Sequence, residues 1–140
     1  MTHDHASEPP RPQRKSAAAK RRAVLCADCP PELGPIARAE WLRLVPSLSA
    51  HIDLMPFDRI PLAIYCASYQ RWIEGIVGLQ EYGMMIKTPK GYPIQSPFLA
   101  IVQREAETMM KIASEYGFTP TSRAKLFPRS IMELGSLSEF

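Results

Sequence analysis

The chain has 140 residues, 46% of them hydrophobic, and a formal net charge of +3. That length holds one domain with a core of ordinary size. No apolar run approaches the ~20 residues that cross a bilayer, and the charged, Pro-rich start does not read as a secretory signal, so a cytosolic protein is expected.

Charge is unevenly placed. Residues 1–22 carry Arg11, Arg14, Lys15, Lys20, Arg21 and Arg22 against Asp4 and Glu8, while residues 23–140 carry eleven cations against twelve anions. The whole surplus therefore sits in the first segment, as in arms that bind nucleic acid. Pro9, Pro10, Pro12 and Pro30 interrupt residues 1–30, and large apolar groups are few. Such a stretch cannot bury enough surface to offset its ordering entropy, which predicts a disordered basic arm over 1–30. Cys26 and Cys29 have a C-x-x-C spacing that suits zinc, yet a structural site needs two more ligands. Cys66 falls in a helical pattern, His3 and His5 in the arm, and His51 stands alone. The expectation is incidental thiols and no metal.

The first helix is predicted from about Pro35 to Val45. Pro35 suits the first helical position, and Trp41, Leu44, Val45 and Leu48 follow the spacing of a buried face. Pro46 is expected to weaken or end it. Ile52, Leu54 and Phe57 form an apolar link. Asp58 is the expected cap of a second helix, with Pro61 tolerated in its first turn. There Leu62, Tyr65, Cys66, Tyr69, Trp72, Ile73, Ile76 and Val77 make an apolar stripe about four turns long, with Ile64 and Leu79 beside it. So wide a face implies a second packing partner. Gly75 and Gly78 allow close backbone approach, and Gly83 suits the stop.

Met84-Met85-Ile86-Lys87 and Tyr92-Pro93-Ile94-Gln95 flank Thr88-Pro89-Lys90-Gly91, which predicts a β-hairpin or extended loop. A third helix follows, with Ser96 as cap and Pro97 first. Its apolar side is Phe98, Ile101, Val102, Ala106, Met109, Met110, Ala113 and Tyr116, with Glu105 and Glu107 facing solvent. Gly117 ends it, and a short fourth helix starts with Thr119 as cap and Pro120 first. Residues 127–140 read as a flexible tail that orders on a partner. The fold class is mainly α, with residues 31–126 as the helical domain.

Catalytic equipment is missing. Gly78-Leu79-Gln80-Glu81-Tyr82-Gly83 has glycines, but Met84 and Met85 stand where a phosphate loop needs Lys and Ser or Thr. His51 has no nucleophile turn to serve, and Asp53 and Asp58 form no metal cluster. No cofactor and no enzymatic activity are expected.

The ordered motifs resemble one large family of phage terminase small subunits. Cys29-Pro30-Pro31-Glu32-Leu33, with Ala37-Arg38 and Trp41, is similar to the family's opening. Leu48 and Asp58 follow in order, then Leu62, Tyr65-Cys66, Tyr69 and Trp72. Lys87 with Gly91, Pro97 before the third helix, and the closing Gly117-Phe118-Thr119-Pro120-Thr121-Ser122-Arg123 extend the likeness over about residues 29–126. The resemblance implies a ring of about eight to ten copies that binds the packaging start site on double-stranded viral DNA. It also implies recruitment and regulation of the large terminase subunit, which owns the ATPase and nuclease, in the cytoplasm of an infected bacterium.

The DNA-binding candidates are Arg11, Arg14, Lys15, Lys20, Arg21 and Arg22 in the arm, then Lys87, Lys90, Arg123 and Lys125. The oligomer-interface candidates are Tyr65, Tyr69, Trp72, Ile73 and Ile76. Two other readings fit the composition: a DNA-binding transcriptional regulator, and an oligomeric protein-interaction module without a nucleic-acid role.

Overall fold

The computed structural model describes residues 28–126. They form helices α1 (Pro35–Ser49), α2 (Arg59–Tyr82), α3 (Pro97–Glu115) and α4 (Pro120–Leu126), with a 3-10 turn at Pro56–Asp58 before α2. Strands β1 (Met85–Lys87) and β2 (Pro93–Gln95) pair antiparallel between α2 and α3, with Ile86 opposite Ile94. Three principal helices, a short fourth and a hairpin match the sequence pattern. The expectations for the arm cations, Cys26 and the tail lie outside the described residues.

Helix α1 supplies most of the core. Ala37, Trp41, Leu44, Val45 and Leu48 are buried against Leu54, Leu62 and Cys66. The helix does not end near Pro46; it continues to Ser49. Proline costs about 3 kcal/mol inside a helix by deleting one hydrogen bond and crowding the preceding turn. Burying Val45 and Leu48 on either side of it returns about 1.5–3 kcal/mol each, so packing wins. The carbonyl left unpaired belongs to Leu42, whose side chain is 56% exposed. At the other end, Gln70 of α2 does the capping: its Oε1 accepts the Ala37 N–H at 3.1 Å. Gly34 makes this possible, because a Cβ there would collide with the Gln70 amide.

Helix α2 packs on two neighbours. Leu62 and Cys66 face α1, while Ser68, Gly75 and Gly78 are buried on another side. The glycines do admit a close neighbour, and it is α3 of the same chain: an added Cβ would meet Val102 at 2.8 Å from Gly75 and the Phe98 ring at 2.6 Å from Gly78. Phe98 in turn stacks on Tyr82, with ring centroids 5.8 Å apart. Gly83 ends α2 with a φ of 82°. Asp58 does not cap α2 with its side chain. Its carboxylate reaches backwards instead, accepting the Met55 N–H at 2.7 Å and the Tyr116 hydroxyl at 2.9 Å. That second bond ties the start of α2 to the end of α3; burial and the Asp58 bond both hold the Tyr116 phenol above its usual range.

Three expectations for α3 need correction. Ser96 stands at the cap position, yet its hydroxyl makes no capping bond and is buried without a partner. Only its backbone serves, its carbonyl accepting the Leu99 N–H at 3.1 Å. Glu105 does not face solvent but is 4% exposed, held by Arg71 at 3.1 Å and Arg104 at 3.3 Å. Met110 lies on the exposed side rather than the apolar face, because α2 covers only one flank of α3. The helix closes as expected: Gly117 has a φ of 73°, and the Phe118 N–H returns to the Ala113 carbonyl at 2.8 Å. Thr119 Oγ1 then accepts the Ser122 N–H at 3.2 Å and caps α4.

Two outcomes follow for stability. Gly78→Val places a branched side chain inside the Phe98 ring, and overpacking of this kind costs about 1–3 kcal/mol. A lowered urea midpoint checks it; an unchanged one means that α3 does not pack on this glycine. For Glu105, burial alone would raise the carboxyl, but hydrogen bonds from Arg71, Ser68 and Arg104 outweigh it and hold the group below its usual range. A carboxyl depressed by folding contributes stability above its unfolded pKa, and that contribution is lost as pH falls through the folded value. Glu105→Gln should therefore cost about 2 kcal/mol at neutral pH. The gap between variant and parent should close as the medium is acidified below the carboxylate range.

Candidate nucleic-acid interface and assembly surface

The described residues carry ten cations and ten anions, a net charge of zero. Arg43, Arg59, Arg71 and Arg104 are spent on ion pairs with Glu40, Asp28 and Glu105. The Asp28 pair, the core contact of Cys29 and the burial of Pro30 attach these three residues to the helical body. Lys87, Lys90, Lys111 and Lys125 make no ion pair among the described residues.

Lys87 closes β1, and Lys90 stands in the hairpin turn, both exposed. The turn is tightly tied: the Thr88 N–H meets the Tyr92 carbonyl at 2.9 Å, the Gly91 N–H meets the Thr88 carbonyl at 2.8 Å, and the Tyr92 N–H meets Thr88 Oγ1 at 3.1 Å. Gly91 supplies the positive φ of 85° that the reversal requires. Tyr92 is the most exposed aromatic of the hairpin, at 68%. Two cations and an exposed ring therefore share one projecting tip, an arrangement suited to phosphates and base edges.

Arg123 and Lys125 lie on α4. The hairpin precedes the first residue of α3 and α4 follows its last, so 19 residues of helix, about 28 Å, separate the two pairs. One chain does not gather the four into a single patch. Arg123 is also occupied: its guanidinium donates to the Gly117 carbonyl at 3.3 Å and the Phe118 carbonyl at 2.8 Å, clamping the end of α3.

The interface candidates on α2 are half-buried within the chain itself. Tyr65 meets Phe118 edge-on at 5.4 Å, and burial raises its phenol above the usual range. Tyr69 stacks on Trp72 at 6.3 Å, and Ile73 and Ile76 are half-buried alongside. The apolar side chains that α2 leaves most open are different ones: Ile60 at 58% exposure, Ile64 one turn later, and Val77, with Phe57 in the turn before the helix. Ile60 and Ile64 share one side of α2, while Val77 lies around the helix on the edge of the apolar stripe; Ile64 is legible in the sequence as apolar area beside that stripe, and nothing local marks Ile60.

Chemical equipment is sparse. Burial pushes the Cys66 thiol up to about 12, which disfavours the nucleophilic thiolate at neutral pH. Cys29 points its thiol at the Pro30 carbonyl. Among the described residues no group of His, Cys, Asp or Glu is placed to hold a metal ion. No described helix is long and apolar enough to cross a membrane.

A family model described as phage terminase, small subunit matches residues 37–131, from the third residue of α1 through the whole of α4. No curated protein and no solved structure is similar enough to the chain to count as a match.

The two cations of α4 should separate by function. Arg123→Gln removes two charge-assisted bonds and should lower stability by about 1 kcal/mol, discounted for the exposure of the guanidinium. Lys125→Gln should stay within about 0.5 kcal/mol of the parent. Chemical denaturation of the two variants side by side gives the comparison, and equal midpoints would make Arg123 as free as Lys125 to meet DNA.

Proposed function

This chain belongs to the phage terminase small-subunit family, which gives it a role in phage DNA packaging, and from that membership we propose the following division of labour. The protein binds double-stranded viral DNA at the packaging start site. It does so as a ring of about eight to ten copies, recruiting and regulating the large terminase subunit without catalysing a reaction itself. It works in the cytoplasm of the infected cell.

The observation that carries this reading is the family match across α1 to α4. The charge division supports the way DNA is held. The helical body is neutral, while residues 1–22 hold six cations against two anions. Affinity for phosphates then comes from Arg11, Arg14, Lys15, Lys20, Arg21 and Arg22. A ring repeats the arm once per copy, and tethered arms around one duplex act at high effective concentration. Lys87 and Lys90 on the hairpin tips add a second contact, and Lys125 a third. The residues available for contact between copies are the exposed Ile60 and Ile64 on one side of α2, and Val77 together with the half-buried Tyr65, Tyr69, Trp72, Ile73 and Ile76 on its apolar stripe.

Deleting residues 1–22 tests the reading directly. Native mass measurement should show the assembly intact, because the described core is drawn from α1, α2 and the link between them. DNA affinity should fall, and the slope of log affinity against log salt should flatten by about 0.9 for each phosphate that is no longer neutralised. An unchanged slope would place the DNA on the helical body. A parent protein that is monomeric at micromolar concentration would end the ring.

A further inference from the structure

One surface is separate from the arm, the hairpin and the exposed apolar residues of α2. A cavity of about 970 Å³ opens between the C-terminal half of α1 and helix α4. Leu48, Ile52, Tyr116 and Phe118 form its apolar wall, and Pro120 and Ala124 of α4 close one side. Its polar side chains among the described residues are Ser47, His51 and Arg123, with Arg123 the charged one and no carboxylate beside it. His51 Nδ1 lies 2.9 Å from the Ser47 carbonyl, so that nitrogen donates to it.

The position of this groove in the chain points to its occupant. Helix α4 lines it through Pro120, Arg123 and Ala124 and ends at Leu126, itself 48% exposed. Residue 127 therefore starts within one helical turn of the groove. The fourteen residues that follow contain Phe127, Ile131, Met132, Leu134, Leu137 and Phe140, with Arg129 opposed by Glu133 and Glu139. The segment is apolar with a net charge of −1; the groove, among the described residues, is apolar with the cation Arg123 and no carboxylate. The family match runs on to Ile131, so the unit shared across the family includes the first part of this segment and does not stop with α4. An extended chain of fourteen residues reaches about 46 Å, and a tether this short gives an effective concentration of about millimolar, which favours the chain's own segment over a neighbour's.

We propose that the groove between α1 and α4 is the docking site for residues 127–140 of the same chain. In this docking, Phe127, Ile131 and Met132 cover the wall of Leu48, Ile52 and Phe118, and the carboxylates of Glu133 and Glu139 come within reach of Arg123. The proposal stands apart from the packaging role: it concerns how the body is completed, whatever the body binds.

The experiment uses the full chain. Ser47 is exposed on the groove wall, so a photo-crosslinking residue placed there samples the occupant without touching the core. Irradiation should join position 47 to a peptide within residues 127–140. In a mixture of isotopically light and heavy chains, the joined peptides should be all light or all heavy. The double variant I131D/M132D changes no residue of the described core cluster, and a charge pushed into the apolar wall should lower the crosslink yield on the order of tenfold. Light–heavy products would give the groove to the tail of a second copy and overturn the proposal. So would crosslinks to any other segment, an unaltered yield in the double variant, or native mass showing a small apolar ligand carried in the groove.

Discussion

Everything in this fold depends on α2 being buried from two directions at once. A helix packed on one neighbour needs one apolar stripe, and its back can be polar. Helix α2 instead meets α1 through Leu62 and Cys66, and α3 through a face of Ser68, Gly75 and Gly78. The second contact works because side chains are absent there. Phe98 and Val102 descend onto the glycines, the helix axes come close, and Arg71 and Glu105 meet across the same seam. The polar tie of Asp58 to Tyr116 secures the far end of that seam. Remove the close approach and the ion pair, the stacked Tyr82–Phe98 rings and the hairpin that follows all lose their reference point.

This arrangement also explains which features were legible in the sequence. Trp41, Leu44, Val45 and Leu48 announce a helix with one buried face, and α1 buries that face. The hairpin is written in Pro89, Gly91 and the apolar runs beside them, and the ends of α2 and α3 in Gly83 and Gly117. What could not be read is whatever depends on a residue far away in the chain. Glu105 looks solvent-facing until Arg71, 34 positions earlier, is brought beside it. Asp58 looks like a cap until Tyr116 arrives from 58 positions later. Gln70 as the cap of α1 has no local signature at all. The apolar stripe of α2 and the close approach at Gly75 and Gly78 were both legible, but periodicity records where hydrophobic groups lie and does not say which helix arrives there.

The candidate site divides the same way. Charge along the chain identifies the arm, the hairpin lysines and the α4 pair as separate basic elements, and composition alone suffices for that. Their separation along α3, and the engagement of Arg123 with two carbonyls, are properties of the fold. In the function proposed above, a neutral body carrying separate basic elements would hold a polyanion by several distant points of attachment. Such binding depends on salt and on geometry between copies far more than on any one side chain.

The hairpin's hydrogen-bond parity has a further consequence. The Ser96 N–H bonded to the Met84 carbonyl and the Thr88 N–H bonded to the Tyr92 carbonyl make 84/96 and 88/92 inward-facing pairs. By alternation, Met85, Lys87, Pro93 and Gln95 turn their backbone groups to the outside. On the β1 side this leaves a full set of donors and acceptors; on the β2 side, Pro93 has no donor to offer. The two margins of this small sheet are therefore unequal. A strand from elsewhere can extend it along Met85–Lys87, while addition along Pro93–Gln95 lacks a bond at its first residue. Addition is therefore favoured along β1, and the missing donor of Pro93 weakens any extension of the sheet through β2.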